Sequence, residues 1–273
     1  MAIGQRVQLA LQTALAATLF DAFWYAVLTC AAWLVFCLVF RTRFRERRIS
    51  NKNPSHAQIR REVFHSLRAI MIFGVTTGLV IFAEHSGWTQ TYRNVADYGW
   101  TWFFVSIGIM IVLHDTYFYW SHRLMHHPLL YRRVHHTHHL STSPTPWSAY
   151  AFSPWEAVFQ AGIGPVAVCL IPTHPLAFVT FMFWQIAFNV LGHCGYEIYP
   201  AWFLRTPLGK FFNTPTHHCL HHEKFTANYS LYFNVWDRLM GTNHRDYQTR
   251  FEQAATPHEP PPMAVPTPIR RAA

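Results

Sequence analysis

Ala22 to Phe40 reads AFWYAVLTCAAWLVFCLVF, nineteen residues without a single charge. A helix of about 20 apolar residues crosses the hydrocarbon core of a bilayer. Inside that core, unpaired backbone groups are too costly for anything but helices or a closed barrel. Two further apolar runs follow, Ala69 to Ala83 and Tyr98 to Leu113, each extendable through its flanks. A fourth region, Ala157 to Leu191, also lacks formal charge and is broken by PTHP at 172–175. Two prolines so close cannot both sit inside one helix, so a helix, a turn and a returning helix are expected there.

The chain is therefore expected to be all-α and membrane-embedded, with about four transmembrane helices in two hairpins. The spans are placed at about 22–40, 66–84, 98–117 and 156–192, the last as a hairpin. Residues 1–248 form one domain. Composition agrees, with 51% hydrophobic, 17% aromatic and only 13% charged residues. The Pro-rich stretch 249–273 shows no periodicity and is read as a disordered tail.

The segment 41–62, RTRFRERRISNKNPSHAQIRRE, carries eight Lys and Arg residues and is expected to stay cytoplasmic. That orientation brings 114–139, His193 and 217–222 to the same cytoplasmic face. The net charge of +9 is concentrated beside a span and has no accompanying nucleic-acid motif. Anionic lipid headgroups, not nucleic acid, are the partner it suits. Five cysteines, with no C-x-x-C pair, support neither a disulfide framework nor a zinc knuckle.

Nineteen histidines are the other conspicuous feature, and they cluster in HRLMH at 122–126, HHTHH at 135–139 and HHCLHH at 217–222. On a helix, positions i, i+3 and i+4 share a face. His122 with His126, His135 with His138 and His139, and His218 with His221 and His222 all have that spacing. Pro128 interrupts the chain after the first pair, and Thr214-Pro215 offers an N-cap and first-turn proline before the last cluster. His193, at the end of the last apolar run, is a ninth candidate. Nine imidazoles exceed what one metal can use, whereas two metals could share them four or five each. His136 and His217 fall off the shared faces and are expected to point to solvent or to lie behind the ligands. Imidazole alone does not select the metal.

HDTYFYWSHRLMHH, YRRVHHTHH, GHCGYE and HHCLHHEKFTANYSLYFNVWDRLMGT resemble the fatty acid hydroxylase and sterol desaturase superfamily, across residues of roughly 110–245. The resemblance, to bacterial sterol-desaturase-like members, implies a helical membrane anchor with a cytosolic histidine-rich cap holding two iron ions. It implies His122, His126, His135, His138, His139, His193, His218, His221 and His222 as ligands, and O2 as co-substrate. Hydroxylation or desaturation of a lipid C–H bond follows, on a sterol-like, fatty acyl, carotenoid or aminolipid substrate. Ether-lipid or aldehyde cleavage, or metal carriage without catalysis, are the alternatives. An external ferredoxin, cytochrome or reductase must supply electrons, since the chain has no dinucleotide, haem or cysteine-cluster motif. A multi-pass protein of the bacterial inner membrane, its metals on the cytoplasmic side, is implied. Many relatives have Asp where this chain has Cys219, so other groups must stand behind the ligands. His114, Asp115, Asn189, Asn228 and Asp237 are candidates, together with Glu197 and Glu223.

Overall fold

A computed structural model describes residues 1–50 and 52–256. Its helices are α1 (Ile3–Trp33, continued by a π-helical stretch Leu34–Val39), α2 (Arg41–Arg45), α3 (His56–His85), α4 (Gly99–Met125), α5 (Pro128–Val134) and α6 (His136–His139). After these come α7 (Pro154–Ala161), α8 (Ile163–Leu170), α9 (Pro175–Gly192), α10 (Pro215–Lys224), α11 (Val235–Leu239) and α12 (Tyr247–Ala255). No strand occurs among the described residues. Four helical stretches are long and apolar enough to span a bilayer: Ile3–Val39, His56–His85, Gly99–Met125 and Pro175–Gly192. The chain is a multi-pass membrane protein.

The first helix starts at Ile3, well ahead of the expected 22–40. Ala10, Ala14 and Thr18 explain the extension, because their small side chains let α1 run against α3. A Cβ on Gly74 would lie 2.7 Å from the Ala14 carbonyl oxygen, and one on Gly78 would lie 2.6 Å from that of Ala10. Close backbone approach through small residues is how helices associate where lipid removes the hydrophobic drive. Tyr25, Ala32, Ala69 and Ile70 complete the contact and continue into Tyr150, Phe152, Ile186 and Val190.

The ascending limb of the expected 156–192 hairpin is not one span but two eight-residue helices, α7 and α8. They meet at Gly162, where an added Cβ would come within 2.3 Å of the Tyr117 hydroxyl. At the far end, the Trp102 indole donates to the Pro172 carbonyl at 2.8 Å, holding the PTHP turn against the start of α4. The expected 98–117 span continues to Met125, carrying His122 beyond the apolar run.

All four spanning helices deliver one end to a cap built from 40–55, 126–153 and 193–256. Glu62, fully buried near the start of α3, anchors it by accepting from Gln58 at 2.8 Å, from Ser141 at 2.7 Å and from Thr145. The expected domain end at 248 falls inside α12. There Tyr247, Phe251 and Ala255 pack on Leu220 of α10, and this burial orders 249–255 against the expectation of a disordered tail. The rest of that tail, 257–273, lies outside the described residues.

Candidate metal centre

The short cap helices follow from local signals. Pro128 follows His127, whose ring accepts from the Leu129 amide, and so opens α5 one turn after α4 ends. Pro215 occupies the first turn of α10, and the buried Glu197 carboxylate accepts from the Thr216 hydroxyl at 2.6 Å and amide at 3.2 Å. An acceptor there satisfies a helix-start donor and complements the dipole.

These elements gather nine rings into two groups. His122, His126, His135, His139 and His221 form one; His138, His193, His218 and His222 form the other, and within each group the facing nitrogens lie within 4.8 Å of one another. The groups do not follow the clusters of the sequence. HHTHH and HHCLHH are both divided: His135 and His139 enter the first group and His138 the second, while His221 enters the first and His218 and His222 the second. His135 closes α5 with φ −113° instead of lying inside one helix with His138, so the expected single ligating face at 135–139 is not formed.

Hydrogen bonding specifies what the rings offer. The Nδ1 atoms of His122, His221 and His193 face the carbonyl oxygens of Tyr229 at 2.7 Å, Ala227 at 2.7 Å and Asn189 at 2.8 Å. A carbonyl only accepts, so each Nδ1 carries the hydrogen and each Nε2 keeps its lone pair. His135 Nδ1 lies 2.7 Å from Glu156 Oε1, both side chains being buried. Burial pushes the Glu156 carboxyl well above its ordinary range; once ionised by a cation on the ring, it accepts from Nδ1 and leaves Nε2 of His135 bare. His122 Nε2 and His135 Nε2 nonetheless approach to 2.9 Å. With both lone pairs turned inward, as ligation requires, that distance is kept by a cation between them. The other inward Nε2 contacts run from 2.9 to 3.4 Å. Imidazoles about 2.0–2.1 Å from a metal place adjacent nitrogens about 3.0 Å apart at right angles and about 3.4 Å apart in a tetrahedron. The residues fit two metal ions.

Burial favours the protonation state that ligation needs. It holds the imidazoles of His135, His138, His139, His218, His221 and His222 well below their ordinary range, with neighbouring rings adding to the effect. His193 is pushed down by burial to about 4, although its bond to the Asn189 carbonyl opposes the shift. Phe152 lies 5.2 Å from the His138 ring and Phe225 4.8 Å from that of His139, walling the site with aromatic faces.

Behind the ligands, the structure departs from several expectations. His114 bonds the Tyr232 hydroxyl at 2.9 Å, and Asp115 accepts from the amides of Tyr232 and Phe233, so neither side chain touches a ligand ring. Asn189 serves His193 through its backbone carbonyl, while its side chain donates to Ala149 at 2.7 Å. Asn228 donates to the His217 carbonyl at 3.0 Å, and His217 is buried 3.4 Å from Asp237. His136 is exposed, and Glu223 pairs on the surface with Lys224 and Arg250. Cys219 is buried without a bond to any ligand, its thiol pushed well up by burial.

Asp237 acts one step further out. Its carboxylate accepts from the Tyr229 and Ser230 amides, both at 2.9 Å, and from Thr242 at 2.7 Å. This holds the turn whose Ala227 and Tyr229 carbonyls face the ligands. Phe225 (φ 65°) and Asn228 (φ 60°) adopt left-handed backbone in that turn, a cost tolerated where surrounding contacts dictate the conformation. Ala227, Tyr229 and Glu156 were not legible as site residues. Two act through carbonyls, which carry no residue-type signal, and Glu156 lies at the border of an apolar run.

The fatty acid hydroxylase family profile matches residues 107–242, the stretch that carries all nine histidines. Among curated proteins, the chain is 35% identical over 213 residues to a Delta(7)-sterol 5(6)-desaturase, ERG3B, of Gibberella zeae, covering 78% of this chain and 63% of that protein. It is 36% identical over 208 residues to erg3C of Aspergillus fumigatus, named likewise, covering 68% and 63%. With the lathosterol oxidase of Homo sapiens it shares 29% identity over 189 residues, covering 68% and 61%. The chain thus spans somewhat under two thirds of the length of these relatives. No solved structure matches. The chain belongs to the fatty acid hydroxylase/sterol desaturase superfamily.

Proposed function

We propose that the protein is a membrane di-iron, O2-dependent oxidoreductase that hydroxylates or desaturates a C–H bond of a lipid. A sterol-like substrate is favoured, because the matched relatives are named for sterol desaturation and lathosterol oxidation. The observation that carries the proposal is the gathering of nine imidazoles into two groups whose facing nitrogens lie within 4.8 Å of one another, with His122 and His135 at 2.9 Å. His122, His126, His135, His139 and His221 would hold one iron, and His138, His193, His218 and His222 the other. Bound there, the irons supply dioxygen activation and the oxidising power to break an unactivated C–H bond.

The chain's own residues orient and shield. The Tyr229, Ala227 and Asn189 carbonyls fix three ring tautomers and directions, and the buried Glu156 carboxyl orients His135. Phe152 and Phe225 exclude water that would divert the reaction. The cap faces the cytoplasm in this reading, which the positive charge of the segment 41–61 supports. Electrons come from a separate ferredoxin, cytochrome or reductase, for which Arg132 and Arg133, exposed on α5, offer docking charge.

The test is anaerobic purification in detergent, iron loading, and oxygen uptake with a chemical reductant and a Δ7-sterol. Uptake dependent on the sterol supports the proposal. An oxygen-18 label retained in the product identifies hydroxylation, and a new double bond without label identifies desaturation. Metal binding without lipid-dependent uptake across sterols, fatty acyl lipids and carotenoids overturns it.

A further inference from the structure

Beside the histidine groups lies a cavity of about 500 Å³ that plays no part in the centre described above. Four stretches of chain meet there: the end of the first span at Trp33 and Cys37, the basic segment at Arg45 and Arg48, the loop 143–146, and the loop after His193 at Cys194 and Tyr196. Its walls have two characters. Trp33 and Cys37 belong to the apolar helix, whose neighbouring Leu34 and Leu38 are 51% and 62% exposed and face lipid. Across from them stand two guanidinium groups, and none of the lining residues is acidic.

Those arginines differ from their neighbours in how far they are satisfied. Arg47 is turned inward to the Tyr199 carbonyl, and Arg61 donates to the Leu140 carbonyl at 3.0 Å. Arg48 gives part of its guanidinium to Asn53 and the Lys52 carbonyl, which fixes it at the cavity wall. Arg45 is exposed at the open side of the cavity and has neither a carboxylate nor a hydrogen-bond acceptor among the described residues, so its guanidinium is free to meet an anion. A Trp-lined apolar wall at the end of a span, opposite two cations, is the chemistry of the membrane interface. The volume lies within the about 300–1,000 Å³ of ligand sites.

We infer that this cavity binds the headgroup of an anionic phospholipid. The phosphate lies between Arg45 and Arg48, and the glycerol and first methylenes lie against Trp33 and Cys37, with the chains leaving over Leu34 and Leu38. Phosphate suits paired guanidinium groups because their fork of donors matches its oxygens. The inference does not depend on the reaction proposed above, since the cavity contains none of the nine histidines.

The test is native mass spectrometry of the full chain released from mixed micelles of equimolar phosphatidylglycerol and phosphatidylcholine. The protein should retain one phosphatidylglycerol, with a preference of about tenfold or more over phosphatidylcholine. R45Q/R48Q should bring the two lipids to parity, whereas R132Q/R133Q, which removes the same charge elsewhere, should keep the preference. Circular dichroism and metal content confirm that the first variant folds. Two outcomes overturn the inference: an unchanged preference in folded R45Q/R48Q, or displacement of phosphatidylglycerol by an equal concentration of inorganic phosphate, which would mark a site for free anions.

Discussion

At the residue scale, the difference between adjacent histidines is the sharpest feature of the site. His136 is exposed and His138 is buried in the four-histidine group, though two positions separate them. His136→Ala should leave metal content unchanged, while His138→Ala should remove the metal of the four-histidine group, as read by elemental analysis of anaerobically loaded protein. Glu156 makes a second graded case. Outer carboxylates on ligating histidines are worth about 10–100-fold in metal affinity. Glu156→Ala should weaken one of the two sites by that order in a competitive chelator titration. Glu156→Gln, which keeps an acceptor but loses the charge, should fall between the variant and the native protein. Proton linkage follows from the same rings. His193 titrates near 4 when folded, against an ordinary value of 6.5, so it binds its proton more readily once unfolded. Its stabilising contribution is complete above about 6.5 and is lost as the pH falls towards 4. The other buried ligands have depressed values as well, so metal retention and thermal stability should both decline through that window, and a melting series from pH 7.5 to 4.5 reads it.

At the element scale, sequence pattern located helices better than their limits. Charge-free runs marked the spans because lipid imposes one demand on every residue in them. They did not mark where α1 begins, since its first turns are kept helical by packing on α3 through Gly74 and Gly78. They did not show the break at Gly162, which the Tyr117 side chain enforces from another helix. Substitution of Gly74 by Leu should therefore part α1 from α3. Overpacking of this kind costs about 1–3 kcal/mol, visible as a lower melting temperature in detergent, while metal stoichiometry at low temperature is preserved. The turn at 225–230 behaves differently, because it couples stability to the metal centre. Asp237→Asn replaces one of two acceptors for the Tyr229 and Ser230 amides by a donor. An unsatisfied buried amide costs about 1–3 kcal/mol, and the Tyr229 carbonyl that orients His122 loses its support. Both melting temperature and metal affinity should fall in that variant.

At the scale of the whole molecule, the four spanning helices act as a frame that brings distant histidines to one end. The spacing of the histidines was legible because helical geometry and metal valence constrain it locally. How they divide between two groups was not, because the division depends on how α4, α6, α9 and α10 meet in space. HHTHH supplies both groups for that reason: the neighbouring rings of His138 and His139 leave the short helix α6 in different directions, and His135, which closes α5, joins His139. The same frame brings Ala227, Tyr229 and Glu156 behind the ligands, where residue type alone says little. The central claim is that the nine clustered imidazoles form two separate ion sites, not one diffuse cluster. The most direct measurement is the metal content per chain of anaerobically loaded native protein, together with His122→Ala and His218→Ala. The account predicts two ions in the native chain and one in each variant, with different sites emptied in the two variants by their spectroscopic signatures. A single ion in the native chain, or the same site emptied in both variants, would contradict it.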